Sequence, residues 1–363
     1  MEKLRIGIIG CGGIANGKHM PALSRLNDVE MVAFCDIVEE RAKKAALQFG
    51  TPGAVVFTDY EEMLKMDMDV VHVLTPNKSH SPITVAALEA GKHVMCEKPM
   101  AINTEEAEKM VDAAKRTGKK LTIGYQNRFR PDSMYLKKCI EAGDLGDIYY
   151  ARALAIRRRA VPTWGVFLDA EQQGGGPLID IGTHALDLTL WEMDNYEPEM
   201  VVGSVFRKLG DNENSANAWG PWDPKQFTVE DSAFGFVKMK NGATIVLESS
   251  WALNMIDANE AKTILCGDKA GADMLGKDGA LRINGERFSR MYVTEPALTA
   301  GSVAFFEGDI GGRAEDVEAR MWIDHVKDDS KPLVVKPEQA LVVTRILEAI
   351  YESGKTGKPV FFD

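Results

Sequence analysis

The sequence predicts an α/β protein, with a doubly wound parallel sheet in its N-terminal part followed by an α+β domain. Short apolar runs alternate with longer amphipathic runs over residues 1–125, which is typical of a parallel sheet covered by helices on both faces. After residue 125, strand-like runs follow one another with turn signals between them, which favours an antiparallel or mixed sheet. A chain of 363 residues is long enough for two domains, which we expect at 1–125 and 126–363.

The periodicity of the first domain defines its elements. Apolar runs bounded by turn residues predict strands at 4–9, 30–35, 69–74, 92–96 and 120–125. The amphipathic runs between them predict helices near 13–26, 38–49, 59–66, 80–90 and 103–117. Alternation of this kind indicates βαβ units, and therefore parallel strands.

The second domain begins with a predicted helix near 131–142 and a strand within the segment DIYYARALAIRRR. Further strands are predicted around 199–207, 226–238, 243–251 and 260–266, and late helices near 314–327 and 336–353. The stretch 208–225 is rich in Asn, Asp, Gly and Pro, which is typical of a long surface loop. Loops of this length are uncommon unless they cover a site or contact a partner.

Composition and charge exclude several classes of protein. The net charge of −11 argues against nucleic acid as a partner, because such binding relies on a basic surface. No run of about 18 apolar residues occurs, so no membrane span is expected, and the N-terminus lacks a signal-peptide pattern. Five cysteines without CxxC spacing favour reduced thiols and a cytoplasmic location. No sequence pattern for a metal site is present, so no metal is expected.

A glycine-rich turn follows the first predicted strand and opens a helix. Its G-x-G-x-x-A pattern comprises Gly10, Gly12, Gly13, Ile14 and Ala15. The first glycine permits the tight turn, the second lets the backbone approach a pyrophosphate, and the small third residue lets the helix pack on the strand. The anion would then lie at a helix N-terminus, where free N–H groups favour it. We therefore expect a dinucleotide cofactor here.

Asp36 ends the second predicted strand and bears on the choice of cofactor. A carboxylate at this position binds the ribose hydroxyls of the adenosine. The alternative is that Asp36 only caps the helix beginning near 38. Because a carboxylate repels a 2′-phosphate and no arginine follows directly, the sequence favours NAD over NADP.

Two further segments lie at the carboxyl ends of predicted parallel strands, where open α/β sheets bind ligands. The first contains Thr75, Pro76, Asn77 and His80, and the second contains Glu97 and Lys98. An ammonium near a nicotinamide can stabilise the oxygen that becomes negative as hydride leaves. The alternatives are a solvated loop lysine, a histidine that simply begins a helix, and a glutamate paired with a nearby base.

The segment GGGPLIDIGTH places Asp180 and His184 four residues apart on one predicted helix, after three consecutive glycines. Such spacing puts both side chains on one face. They are either a buried polar pair that holds the helix down or half of an active site. An imidazole has an ordinary pKa near about 6.5, which suits it to accept a hydroxyl proton.

Five segments occur in the order and approximate spacing of one family: GIIGCGGIA, TPNKSH, EKP, GYQNRF and GGGPLIDIGTHALDL. From residue 3 to the C-terminal helix, the chain resembles the Gfo/Idh/MocA family of NAD(P)-dependent sugar oxidoreductases. The EKP and D-x-x-x-H elements are specific together, although neither is specific alone. The resemblance implies a Rossmann domain followed by a substrate-binding and oligomerisation domain with a large, mostly antiparallel open sheet.

The resemblance also implies roles for individual residues. Lys98 and His184 flank the nicotinamide, Asp180 contacts substrate hydroxyls or supports the pair, and Glu97 orients Lys98. Two further positions on the nicotinamide side of the cleft are Tyr125, toward the substrate, and Asn127, toward the cofactor.

The segment RRRAVPTWGVF supplies an aromatic residue flanked by arginines. Trp164 is expected to stack on a sugar ring, and Arg157 or Arg159 to bind its hydroxyls or an anionic substituent. The alternative is a strand end whose arginines alternate between solvent and acids on the sheet. A second aromatic segment, AWGPWD at 218–223, either covers the site or packs at a subunit contact.

The leading hypothesis is an NAD-dependent dehydrogenase that moves a hydride between nicotinamide and a hydroxyl carbon of a sugar, glycoside or cyclitol. A looser resemblance points to C3 and a 3-keto sugar. One alternative is a glycoside-cleaving enzyme that retains NAD and works by C3 oxidation and elimination, and another is a noncatalytic NAD-binding regulator. The resemblance implies a homodimer or homotetramer formed through the open face of the C-terminal sheet.

Overall fold

The computed structural model describes residues 3–298 and 313–363. These residues divide into two compact units. The first contains residues 3–126 and 313–341, and the second contains residues 127–298 and 342–363. Each unit has its own sheet.

The sheet of the first unit has six parallel strands in the order β3-β2-β1-β4-β5-β6. The strands are β1 Leu4–Ile9, β2 Val29–Cys35, β3 Val55–Phe57, β4 Val70–Val73, β5 His93–Cys96 and β6 Leu121–Ile123. The order reverses at β1, so β1 and β4 flank the switch point at which doubly wound sheets bind ligands. The predicted doubly wound parallel sheet is confirmed.

Helices join the strands of the first unit. They are α1 Met20–Ser24, α2 Glu39–Phe49, α3 Tyr60–Leu64, α4 His80–Glu89 and α5 Thr104–Thr117, with a π-helix at Ala15–His19 before α1 and a 3₁₀ turn at Asn77–Ser79 before α4. The central strands are largely buried because helices cover both faces, and Ile6 and Ile8 of β1 are fully buried. α9 Ala314–Lys327 also belongs to this unit, and its Trp322 and Ile323 pack into the same core.

The second unit contains a nine-stranded sheet in the order β14-β13-β12-β11-β7-β10-β9-β8-β15. Its strands are β7 Ile148–Ile156, β8 Pro198–Phe206, β9 Ser232–Met239, β10 Thr244–Ser250, β11 Glu260–Gly267, β12 Ala270–Asp273, β13 Arg282–Arg287, β14 Arg290–Thr294 and β15 Val360–Phe361. Only β7 and β10 pair in parallel; the other described pairs are antiparallel. The predicted large, mostly antiparallel sheet is therefore confirmed.

The second unit also contains helices. They are α6 Pro131–Glu141, α7 Ala170–Gln173 and α8 Thr183–Met193, with a 3₁₀ turn at Gln126–Phe129 and a π-helix at Leu178–Gly182 directly before α8. α10 Pro337–Thr356 contributes residues 342–356 to this unit. Gly203 and Gly235 allow α10 to approach the sheet, because a Cβ at either position would collide with Ile350.

Three differences from the sequence-based elements concern short or polar segments. The strand β3 was not predicted, since VVF is only three residues long and none of its side chains is buried. The strands β12 to β14 were also not predicted, because RINGER and RMYVT at the sheet edge lack an apolar alternation. The strand predicted at 226–238 begins only at Ser232. As expected of a loop, residues 208–225 contain neither helix nor strand.

Among the helices of the described residues, none combines the length and the apolar character that crossing a bilayer requires.

Candidate active site

The glycine turn after β1 has one glycine that the fold demands and two that it does not. Gly10 has a φ of +91°, and a Cβ there would lie 2.5 Å from the carbonyl oxygen of Leu74. Gly12 and Gly13 have no positive φ, and a Cβ at either position would meet no heavy atom within 4 Å. Because the protein itself leaves this space open, these two glycines fit the close approach of a pyrophosphate.

The helix that follows the turn offers its N-terminus to an anion. Its π-helical segment Ala15–His19 has no acidic residue in the first turn. The Asn16 side chain donates to the carbonyl oxygens of Cys11 and Gly12 at 2.8 Å each, which holds the turn in place. Free N–H groups and the helix dipole favour negative charge at such a site.

Asp36 holds the backbone around it without capping α2, which has no side-chain cap, and it retains capacity for a ligand. Its Oδ2 accepts the backbone N–H of Cys11 at 2.9 Å, and its Oδ1 accepts that of Val38 at 2.8 Å. Each carboxylate oxygen has a second lone pair. Asp36 therefore links the end of β2 to the glycine turn, and it can still accept hydrogen bonds from ribose hydroxyls.

The segment after β4 is fixed by His80. One ring nitrogen of His80 lies 2.7 Å from the carbonyl oxygen of Pro99, and the other lies 2.8 Å from that of Thr75. Burial lowers the pKa of this histidine, although the two carbonyls act in the opposite direction. His80 thus ties the loop after β4 to the loop after β5. Asn77 is buried beside it, whereas Pro76 is exposed.

Glu97 lies at the centre of a buried polar cluster below Lys98. Its Oε1 is 2.8 Å from the Lys18 ammonium and 2.7 Å from His19 Nε2. Its Oε2 accepts the backbone N–H of Lys98 at 3.0 Å. Burial alone would raise the pKa of Glu97, but Lys18 and His19 hold it well below its usual range. The carboxylate therefore stays ionised and fixes the backbone that carries Lys98, whose peptide bond to Pro99 is cis.

Lys18 extends this cluster to α9. Its ammonium is also 2.8 Å from Glu318 Oε2, and all three side chains are buried. Burial disfavours the charged ammonium, but the two carboxylates raise its pKa above the ordinary value. His72 lies 3.2 Å from His19, and burial lowers its pKa. Opposite charges thus compensate one another inside the first unit.

In the second unit, the three consecutive glycines are explained by what lies against them. Gly174 has a φ of +80° and ends α7. A Cβ on Gly175 would collide with the hydroxyl of Tyr351, and a Cβ on Gly176 would collide with the carbonyl oxygen of Glu230. The glycines therefore serve close packing at the entrance to the helix that carries Asp180.

Glu230 holds the first turn of that helix. Its buried carboxylate accepts the N–H groups of Gly176 at 2.8 Å and Leu178 at 3.1 Å, and the hydroxyl of Tyr351 at 2.8 Å. Burial raises the pKa of Glu230, while these donors lower it. An acceptor at a helix N-terminus satisfies N–H groups that have no partner within the helix.

Asp180 lies in a π-helical segment, and such segments are frequent at functional sites. The indole Nε1–H of Trp251 donates to Asp180 Oδ2 at 3.0 Å. Both side chains are buried. His184 follows in α8 and is half-buried. Arg128 makes two hydrogen bonds, of 2.9 and 2.6 Å, to Asp187 of the same helix, which fixes α8 to the turn at Gln126–Phe129.

The arginines near Trp164 are engaged with the protein itself. Arg157 donates to both carboxylate oxygens of Glu260, at 2.5 and 2.6 Å. Arg159 donates to the carbonyl oxygen of Arg158 at 2.7 Å and to the side chain of Asn254. Trp164 itself is about half exposed. The contacts of the arginines match the alternative of a strand end paired with nearby groups.

The structure distributes the predicted site residues over the two units. The first unit contains the glycine turn, Asp36, the loop after β4, Glu97, Lys98 and Tyr125. The second contains Asn127, Arg157, Trp164, Asp180 and His184. The convergence of Lys98 with His184 stays a prediction. Among residues 3–298 and 313–363, no group of three or more His, Cys, Asp or Glu side chains is arranged to hold a metal ion.

Sequence reasoning missed the residues that support the site. Lys18 and His19 follow the glycine turn directly, which was a usable signal for buried polar groups near the cofactor. Glu230, Trp251 and Tyr351 reach the Asp180 segment from distant parts of the chain, and no local pattern marks them.

A glycine turn with room for a pyrophosphate, an acid at the end of the second strand and a separate sheet domain define a two-domain NAD-binding oxidoreductase. The model of the Gfo/Idh/MocA oxidoreductase family, NAD-binding Rossmann fold, matches residues 4–125, and that of the family's C-terminal alpha/beta domain matches residues 137–362. The chain belongs to this family, as the sequence segments predicted.

Its similarity to individual proteins spans the whole chain. It is 38% identical over 359 residues to D-glucoside 3-dehydrogenase of Escherichia coli K12, covering 98% of this chain and 97% of that protein. It is 26% identical over 339 residues to inositol 2-dehydrogenase/D-chiro-inositol 3-dehydrogenase of Lactiplantibacillus plantarum, covering 91% and 85%. The structure of levoglucosan dehydrogenase in complex with NADH and L-sorbose matches with a TM-score of 0.83 at 22% identity, covering 99% of each chain. This last likeness concerns the fold.

Proposed function

We propose that this protein is an NAD-dependent dehydrogenase that oxidises a hydroxyl carbon of a sugar, and that its substrate is a glucoside oxidised at C3. The observation that carries the proposal is the end-to-end likeness, at 38% identity, to a D-glucoside 3-dehydrogenase. The buried supports agree with it, since Glu97 holds the backbone of Lys98 and Trp251 holds the carboxylate of Asp180, and a reacting geometry requires such positioning.

Three side chains carry the proposed chemistry. His184 removes the proton of the substrate hydroxyl as general base. Lys98 donates a hydrogen bond to the same oxygen and stabilises the negative charge that develops on it. Asp180 accepts a hydrogen bond from a neighbouring hydroxyl of the sugar and fixes its pose, and Trp251 holds the carboxylate in place by donating to its Oδ2. NAD, when bound, accepts the hydride at C4 of its nicotinamide.

The cofactor is held by the first unit in this proposal. Gly12, Gly13 and the N-terminus of the following helix contact the pyrophosphate, and Asp36 accepts the ribose hydroxyls. The loops after β4 and β5 contact the nicotinamide half, with His80 holding the two loops together. Tyr125 and Asn127 complete the nicotinamide side.

The proposal extends to assembly and location. Val202 and Phe236 lie opposite each other on β8 and β9, and both are exposed. An exposed apolar pair of this kind supports a homodimer or homotetramer formed through the open face of the sheet. Phe236→Lys is expected to lower the mass measured by sedimentation.

Five free thiols support a cytoplasmic location, which cell fractionation tests.

The test is a panel of free sugars, inositols, sugar acids and glucosides incubated with NAD and followed by NADH absorbance. We expect turnover of glucosides, and a loss of about a hundredfold or more in kcat for Lys98→Ala and His184→Ala. Lys44→Ala and His325→Ala are matched controls on α2 and α9. Full turnover by both site variants would refute the proposed chemistry. Release of p-nitrophenol from an aryl glucoside without net NADH would instead support a glycoside-cleaving enzyme.

A further inference from the structure

Two large aromatic side chains lie side by side at the surface of the second unit. Trp164 and Trp219 are 51% and 45% exposed, and their ring centroids are 4.9 Å apart at an interplanar angle of 82°. Tryptophan side chains have a large apolar area, and contact of that area with water is unfavourable. Because the two rings are nearly perpendicular and both are partly exposed, they form the two sides of a corner that is open to solvent. We call the surface formed by Trp164 and Trp219 the corner.

Hydrogen bonds within the chain hold this corner in place. The backbone of Val161 makes two hydrogen bonds with the Asn217 side chain, of 2.8 and 2.9 Å. The hydroxyl of Thr163 donates to the carbonyl oxygen of Trp219 at 2.9 Å. The long loop therefore packs against the segment that carries Trp164.

A series of aromatic contacts connects the corner to Asp180. Trp164 lies 5.8 Å from Phe167, and Phe167 lies 6.5 Å from Trp251, measured between ring centroids. Trp251 in turn donates to Asp180. These contacts link the corner, through the buried Trp251, to the carboxylate that is proposed to hold the sugar.

Arg157 provides a second link between the corner and Asp180. Its guanidinium lies 5.4 Å from the centroid of the Trp219 ring. Burial disfavours the charged guanidinium, but Glu260 and, at longer range, Asp180 raise its pKa. Arg157 therefore contacts the corner through Trp219, and its charge also interacts with that of Asp180.

We propose that Trp164 and Trp219 form a subsite for the aglycone, the group joined to the sugar through the glycosidic oxygen, and that this group is an uncharged ring. The proposal rests on the proposed function, and it adds the class of glucoside that the site selects. The flat faces of the corner suit the apolar face of a ring. The charge of Arg157 is balanced by the carboxylate of Glu260, to which it donates two hydrogen bonds. We therefore do not expect Arg157 to bind a phosphate or carboxylate on the aglycone.

The experiment compares kcat/KM for phenyl β-glucoside and methyl β-glucoside with NAD. The wild-type protein is expected to prefer the phenyl compound. Trp219→Ala and Trp164→Ala are each expected to lower this preference by about fivefold, mainly through KM, and Trp164→Phe to restore most of it. Trp222→Phe is the control, because Trp222 lies in the same loop but is buried, with its Nε1–H bonded to Gly210. It is expected to keep the preference.

Two results would overturn the subsite. One is an equal rate constant for the two glucosides in the wild-type protein, and the other is an unchanged preference in both alanine variants. If no glucoside is oxidised, the proposed function fails, and the subsite is then tested by binding. Quenching of tryptophan fluorescence by phenyl β-glucoside that weakens in Trp219→Ala would support it, and absence of binding would refute it.

Discussion

The ammonium of Lys18 lies 2.8 Å from Oε1 of Glu97, and both side chains are buried in the first unit. The same carboxylate accepts the N–H of Lys98 through its other oxygen. A charged pair in the protein interior therefore fixes the backbone of the proposed catalytic lysine. Sequence motifs identified Glu97 and Lys98, but the cation that keeps Glu97 ionised is supplied by the helix after the glycine turn.

Removing the cation should destabilise the first unit. Lys18→Met leaves Glu97 and Glu318 buried without their shared partner, and breaking a buried pair in this way costs about 3–5 kcal/mol. The free energy of unfolding in urea measures the effect. The control is Lys65→Met, whose pair with Glu62 is exposed to solvent and contributes little. Equal losses in the two variants would show that the buried pair contributes no more than the exposed one.

A buried carboxyl should make stability depend on pH in the neutral range. Burial raises the pKa of Glu192 from the ordinary 4.5 to about 8, although the Thr263 hydroxyl acts against this. The folded protein therefore retains a proton that the unfolded chain loses, and this group's contribution to stability falls as pH rises from about 4.5 to about 8.

Glu192→Gln removes that titration. We expect its free energy of unfolding to decline less between those two pH values than that of the wild-type protein. Urea unfolding at several pH values tests this, with Glu141→Gln on the exposed side of α6 as the control. Parallel curves for wild type and Glu192→Gln would show that the carboxyl is already ionised.

Glu230, which holds the first turn of the helix that carries Asp180, should affect catalysis without touching the substrate. Glu230→Gln replaces one acceptor oxygen by an NH₂ group, so either Gly176 or Leu178 loses its partner. We expect a loss of about 1–3 kcal/mol in stability and a fall in kcat that exceeds any change in KM for NAD. Glu213→Gln in the exposed loop is the control. Unchanged kcat in a destabilised Glu230→Gln protein would limit this residue to a structural role.

Asp36 should determine the preference for NAD over NADP. Asp36→Asn removes the charge that repels a 2′-phosphate while keeping the shape of the side chain. We expect the ratio of kcat/KM for NAD to that for NADP to fall about tenfold. Glu39→Gln, at the exposed start of α2, should leave the ratio unchanged. A ratio that is equally unaffected in Asp36→Asn would place the selectivity elsewhere.

Strands and site residues could be predicted from the sequence where their pattern was long enough and lay within a few consecutive residues. The strands β1 and β2 were found from mainly apolar runs, whereas β3 has three partly exposed residues and β13 has a polar sequence. The glycine turn and the D-x-x-x-H element were found because each lies within a few consecutive residues. Glu230 and Trp251 were not, because only the folded chain brings them to the Asp180 helix.

The purpose of the three glycines shows the same limit. The sequence shows three consecutive glycines before a predicted helix, but not what they serve. In the structure, Gly175 and Gly176 lie where a Cβ would strike Tyr351 and Glu230, so they serve close packing. The three glycines are adjacent in the sequence, but Gly175 and Gly176 are required by contacts with residues that are distant in the sequence.

A crystal structure with NAD and methyl β-glucoside would show directly whether the two proposed catalytic side chains converge on the sugar. We expect Lys98 Nζ and a ring nitrogen of His184 to lie within about 2.6–3.2 Å of one sugar hydroxyl oxygen. A structure in which the sugar is bound but either side chain points away from that oxygen would contradict this expectation.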